Sequence, residues 1–291
     1  MSTAPTVLRP EKPRGRVSGA IFRAFLYLSL AVGIVTLGAL LVKVVSEGYR
    51  YLDLVLLLES PSSDPLIAGA RPAILATIYL GVLLILFSVP IGVGTAIYLE
   101  EYANRDRWYN RLLEANIQNL AAVPSIVYGI LGLAFLVRGL GLGRVLLAGA
   151  MILTLVVLPT VIIAAREAIR AVPDTIRQGA YALGATKWQV VWRQVLPAAI
   201  PGIATGSILA LSRALGETAP LLLVGALTYV AFDPTVLGAF TALPVQIYQW
   251  VAQPQEEFRT LAAAGIIVLM AIVLTLNAFA IWLRNRYQRR W

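Results

Sequence analysis

Long apolar runs, rather than alternating apolar and polar positions, dominate this chain. Six of them reach the roughly 20 apolar residues that a helix needs to cross a bilayer core, at about 21–45, 72–99, 117–137, 143–165, 198–226 and 259–283. The pattern predicts an all-α polytopic membrane protein with six transmembrane helices. Most polar connections are short, and the exceptions are 46–71, 167–197 and 227–258.

Charge along the pattern sets an orientation. With the N-terminus inside, the inner segments hold about 17 Lys and Arg and the outer ones about six, as the positive-inside rule requires. Both termini are therefore expected in the cytoplasm. The first apolar run follows Arg9, Lys12, Arg14 and Arg16, yet it is longer than the core of a signal peptide and no small-residue cleavage site follows it. It reads as a retained first span. The organisation is then a basic tail over 1–20, a six-span domain over 21–283 that includes the inner loop 167–197 and the outer loop 227–258, and a basic tail over 284–291. The last tail, "RNRYQRRW", reads as an inner-surface anchor. Loop 227–258 contains Pro234, Pro244 and Pro254 and is too long and apolar for a bare hairpin. It predicts a short helix near, or dipping into, the outer interface, with Tyr248 and Trp250 at the boundary and a surface for an external partner.

Composition narrows the chemistry. Of 291 residues, 59% are hydrophobic and 13% charged, with no cysteine and no histidine. Disulfides, thiolate catalysis and cysteine-held metal centres are excluded, and the commonest general base is missing. No GxxxxGK[ST] loop or strand-borne GxGxxG occurs, so the chain itself should bind no nucleotide, cofactor or metal and catalyse no reaction. The net charge of +9 reads as topological, with no nucleic-acid partner.

The inner loop "EAIRAVPDTIRQGAYALGATKWQVVWRQVLPAAIPG" carries dense local signals. Pro173 and Asp174 suit the first turn of a helix and Gly184 its end. Thr186 to Gln189 has capping-box spacing, so a second helix should start there and stop before Pro197, with Trp188 and Trp192 stacked four residues apart. Helix patterning alone leaves two readings open: a rigid knob projecting from the bundle, or an amphipathic helix resting on the membrane surface.

The fifth run holds "LSRALGETAP", with Arg213 and Glu217 four residues apart. Counted from Pro201, Arg213 lies about 18 Å along a helix rising 1.5 Å per residue, inside the hydrocarbon core. A charge there costs roughly 2.5–3.5 kcal/mol on insertion scales, so it should face a partner or a polar path. Glu217 lies on the same helix face and can be that partner. The pair fits either a packing lock or a transport site. Ser212 and Thr218 add hydroxyls nearby, and Gly216 and Pro220 allow a bend. In the third run, Pro124 and Ser125 either present a hydroxyl to a path or kink a packed helix, and Asn277 suits an interhelical hydrogen bond.

The segment "QGAYALGATKWQVVWRQVLP" resembles the EAA loop of ABC-importer permeases. That resemblance implies that Gln178, Gly179, Ala180, Gly184, Ala185, Thr186, Lys187 and Trp188 meet a cleft in an ATPase subunit. Gln178 stands where the family often has glutamate, and Gln194 where it often has isoleucine. Further along, "PIGVGTAIYLEEYA", "NLAAVPSIVYGILGLAF", "SRALGETAPLLLVGA" and "TALPVQIYQW" resemble the PstA-type permeases of phosphate-uptake importers, over nearly the whole chain.

Membership would imply the type I (MetI-like) ABC-importer architecture in a bacterial or archaeal cytoplasmic (inner) membrane. The implied partners are a sister permease of the PstC type, two ATPase subunits that bind ATP and Mg, and an extracytoplasmic phosphate-binding protein. Inorganic phosphate would pass Arg213, Glu217, Thr218, Ser212 and Ser125, because a guanidinium offers paired donors to an oxyanion and Glu217 can reclaim it on release. Rival expectations are a permease for sulfate, molybdate or a phosphonate, an ion-coupled secondary carrier with repeated broken helices, and a non-transporting scaffold.

Overall fold

The computed structural model describes residues 16–104, 106–226 and 229–287. The ends of both basic tails therefore lie outside the described residues. The chain divides into two compact units, residues 1–46 and 47–291. The first unit is the body of α1 (Arg16–Gly48), apolar on every side and exposed along its length. Such a helix suits a lipid or protein environment better than water.

The second unit is built from α2 (Leu54–Leu58), α3 (Arg71–Ile97), α4 (Trp108–Ala121), α5 (Ser125–Gly132), α6 (Leu146–Arg170), α7 (Asp174–Ala182), α8 (Lys187–Val190), α9 (Leu196–Leu215), α10 (Ala219–Val224), α11 (Leu243–Ala252) and α12 (Glu256–Tyr287). Three π-helical turns extend these: Tyr98–Tyr102 after α3, Leu133–Gly139 after α5, and Val191–Val195 between α8 and α9. No strand occurs among the described residues. Five helical stretches, α1 among them, are long and apolar enough to cross a membrane, and a bent pair makes a sixth.

The core of this unit is the triplet α3, α6 and α9. Leu80 and Leu84 of α3, Leu153, Val157 and Val161 of α6, and Ala210 and Ala214 of α9 form one buried cluster. Small residues set the spacing. A β-carbon at Gly206 would lie 2.4 Å from the Ala164 side chain, and one at Gly92 would lie 2.6 Å from Val161. These glycines let the helices pack at near-backbone distance.

Four expectations are corrected. The stretch 117–137 is not one straight helix: Trp108–Ala121 and Ser125–Gly139 meet at 104°. Pro124 explains the bend, because it lacks an N–H and its ring clashes with the carbonyl four residues back, that of Leu120. The Leu120 carbonyl instead accepts from the Val123 N–H at 3.2 Å and from the Tyr128 hydroxyl at 2.9 Å. The stretch 198–226 also breaks. α9 ends at Leu215 and α10 starts at Ala219, since Pro220 cannot donate to Gly216 and excludes its carbonyl from a continuous helix.

The helix expected to stop before Pro197 runs on instead. The π turn Val191–Val195 closes with a bond from the Leu196 N–H to the Val191 carbonyl, and Pro197 falls in the first turn beyond it. Lys187–Leu215 is thereby a single 29-residue helix.

Loop 227–258 does contain a short helix, α11, but Trp250 is not at a boundary: it is 2% exposed, inside the cluster with Phe258 and Leu261, while Tyr248 is exposed. The unbroken burial of residues 241–246 holds the segment inside the bundle, where the Leu243 N–H donates to Thr77 Oγ1 at 2.9 Å.

Candidate functional site

The two helix breaks meet. α5 and α10 lie side by side, close enough that a β-carbon at Gly129 would fall 2.8 Å from the Pro220 Cα. Ser125, the first residue of α5, donates from Oγ to Glu217 Oε2 at 2.9 Å. The carboxylate thus lies at a helix N-terminus, where unpaired N–H groups and the macrodipole favour a negative charge.

Arg213 occupies the last turn of α9, where a cation complements the opposite end of the dipole. Its Nε is 3.7 Å from Glu217 Oε1, within ion-pair range and beyond a hydrogen bond. The Arg213 side chain is 82% exposed and that of Glu217 21%. The carboxylate is therefore anchored, and the guanidinium presents most of its donors outward.

Of the other residues singled out in the sequence, Thr218 precedes α10 and is half-buried, with no side-chain cap bond. Ser212 turns the other way: it donates to the Ile208 carbonyl at 2.7 Å and hydrogen-bonds Asn277 of α12. A second α9–α12 tie runs from Arg284 Nη1 to Thr205 Oγ1 at 2.6 Å. Asn277 thus makes an interhelical bond, and Ser212 stays apart from the Ser125–Glu217 contact.

At the other end of α9, the inner loop folds as helix, glycine turn, helix. Gly184 has φ +80°, a left-handed conformation that ends α7 without a Cβ penalty. Both capping-box bonds of Thr186 and Gln189 form. Trp188 and Trp192 lie 5.0 Å apart and exposed. Leu183 at the tip is 90% exposed, beside exposed Gln178, Gly179, Gly184, Thr186 and Lys187. Ala180 and Ala185 are half-buried and tie the knob to Val190, Val195 and Ala199. A groove of about 270 Å³ runs along it, lined by Ile176, Leu183 and Gln194 among others.

Sequence reasoning missed an ion network beside the knob. Arg166, buried on α6, bonds Glu100 at 2.9 Å and also Glu114 of α4. Arg170 reaches Glu100 at 2.8 Å, and Arg177 of α7 reaches Glu101 at 2.8 Å. The signal was available in the adjacent acids at the end of "YLEEYA" and in arginines at 166, 170 and 177. Among the described residues no cluster suits a metal ion.

Residues 88–291 match the family described as "Binding-protein-dependent transport system inner membrane component". The chain is 30% identical over 290 residues to "Phosphate transport system permease protein PstA 1" of Mycobacterium tuberculosis (strain CDC 1551 / Oshkosh), covering 98% of this chain and 95% of the relative. Among solved structures it is similar to a chain of a bacterial alginate ABC transporter in complex with a pentasaccharide-bound periplasmic protein, with a TM-score of 0.65 at 18% identity, covering 89% of this chain and 92% of that one. A chain of the MetNI methionine ABC transporter in an inward-facing conformation gives a TM-score of 0.59 at 19% identity, covering 76% and 95%.

Proposed function

The chain belongs to the binding-protein-dependent transport system inner membrane components, with the fold of an ABC-importer permease, and on that premise we propose that it is the PstA-type permease subunit of an ATP-driven phosphate importer. The observation that carries this reading is the exposed Arg213 guanidinium beside a Glu217 carboxylate already held by Ser125. An oxyanion can take the outward donors of Arg213 without first displacing Glu217, and paired N–H donors match its oxygens. Glu217 then opposes retention, because it repels an anion that lingers and attracts Arg213 when the anion leaves.

Broken helices suit such a site, since backbone freed from a helix is tolerated at membrane depth only where it lines a polar path or is buried in protein. Ser125 and Thr218 line the same face, and Ser212 fixes α9 against α12. The exposed face carrying Arg213 packs against a sister permease of the PstC type, and the anion passes between the two.

The knob docks in a cleft of an ATPase subunit through Gln178, Gly179, Ala180, Gly184, Ala185, Thr186, Lys187 and Trp188. Two such subunits hold ATP and Mg and carry out the hydrolysis, and this chain makes no bonds in that reaction. An extracytoplasmic phosphate-binding protein delivers the anion at the opposite end, with both termini of this chain in the cytoplasm.

The test is ATP-driven uptake by complexes reconstituted in vesicles, with phosphate, sulfate and molybdate in separate arms, each with its cognate binding protein. Phosphate uptake that falls about a hundredfold in Arg213→Ala supports the reading. Uptake of another oxyanion alone, or uptake indifferent to Arg213→Ala, overturns it.

A further inference from the structure

The knob is joined covalently to two of the three core helices. It follows α6 through residues 171–173, and its second limb is continuous with α9. α3 has no such link, yet its π-helical end, Tyr98–Tyr102, holds both limbs at adjacent residues.

Glu101 takes the first limb. Arg177 of α7 donates to Glu101 Oε1 from Nε at 3.1 Å and Nη2 at 2.8 Å, to Asp174 at 3.1 Å, and to the Val172 and Ile169 carbonyls at 2.6 and 3.0 Å. All five guanidinium N–H groups are engaged, a saturation that lysine with three donors on a point charge cannot reproduce. The Arg177 and Glu101 side chains are 16% and 7% exposed, so the pair is largely withdrawn from water and from salt screening. Tyr102 takes the second limb: Lys187 Nζ of α8 lies 5.0 Å from its ring centroid. The neighbouring Glu100 binds Arg166 and Arg170, fixing the same turn to α6.

We propose that Glu101 and Arg177 are positioning residues that clamp the knob to α3, so that a displacement of the knob is carried by α3, α6 and α9 as one block. This rests on the knob being the ATPase contact. The close approaches at Gly92 and Gly206 make the block stiff, and Arg213 lies at the far end of one of its members. Without the clamp the first limb of the knob can tilt about the 171–173 link, and part of its displacement is no longer passed to the block.

The chain contains no cysteine, so a Glu101→Cys/Arg177→Cys pair supplies the two thiols of this subunit, and the parent complex treated with the same cross-linker controls for thiols elsewhere. Anion taken up per ATP hydrolysed is measured on whichever oxyanion stimulates the parent complex, with retained ATPase subunit as the assembly control. The unbridged pair is expected to lower that ratio about tenfold. A short thiol cross-linker is expected to restore it to within about threefold. Arg177→Lys, the milder variant, is expected between the two.

A parental ratio in both the unbridged pair and Arg177→Lys overturns the clamp. So does a bridge that abolishes uptake, since it would mean that knob and α3 must separate. A parent complex without stimulated ATPase would instead remove the reading on which the clamp rests, and one stimulated by another anion would change the substrate while leaving the clamp testable.

Discussion

Ser125 and Glu217 are 92 residues apart in the chain and 2.9 Å apart in the fold. Their bond joins the first residue of one interrupted helix to the gap in another, and it decides which way the carboxylate faces. Hydrogen bonds to charged groups contribute about 1.5–3 kcal/mol, toward the lower end where water has access. In Ser125→Ala, Glu217 is free to close on Arg213 and compete with the anion. Uptake should show a KM raised about tenfold with a smaller change in turnover. An unchanged KM would reduce the bond to a helix cap.

The character of the cation at 213 is separable from its charge. Arg213→Lys keeps the charge but loses the planar fork that matches an oxyanion. Uptake should fall about tenfold, between the parent and Arg213→Ala. Equal rates in the lysine and parent complexes would assign Arg213 a field effect without paired hydrogen bonding.

Gly206→Val tests the core triplet. The new β-carbon would meet Ala164 at 2.4 Å, and overpacking of this kind costs about 1–3 kcal/mol. The purified protein should unfold several degrees earlier in a thermal scan. Gly94→Ala is the control, since nothing lies within 4 Å of that position, and its midpoint should be unchanged or slightly raised.

Gly184→Ala tests the knob. Open space surrounds this residue, so only the φ of +80° opposes the substitution, at about 1–2 kcal/mol. Less ATPase subunit should co-purify with Gly184→Ala than with the parent, and Gly184→Asn should be milder, because asparagine tolerates the left-handed region. Equal recovery for both would detach the turn from ATPase binding.

Local chemistry was the most legible part of the sequence. The capping box at Thr186 and the glycine stop at 184 are short-range devices, and both form at the positions the residues dictate. Spans two, four and six were found to within a few residues, because continuous apolar runs need no partner to declare themselves.

What failed was continuity across proline. Pro124 sits inside a predicted span and breaks it, whereas Pro197 was expected to end a helix and did not. The helix before Pro124 has already ended at Ala121, whereas a π turn leads into Pro197, and no hydrophobic pattern reports either. The Arg213–Glu217 spacing was readable as i,i+4, but its third member, Ser125, comes from another helix whose approach is set by tertiary packing. Trp250 was misplaced because an aromatic residue beside apolar neighbours looks the same at an interface as in a core.

The π turn between α8 and α9 has one more consequence. Each such turn carries one residue more than an α-helix would, and a residue corresponds to about 100° of rotation. Val191–Val195 therefore works as a phase setting between the two ends of a 29-residue rod. Winding those five residues as regular α-helix, with none removed, would turn Arg213 roughly a quarter of a revolution relative to Trp188. The two ends would each remain intact, and they would no longer be in step.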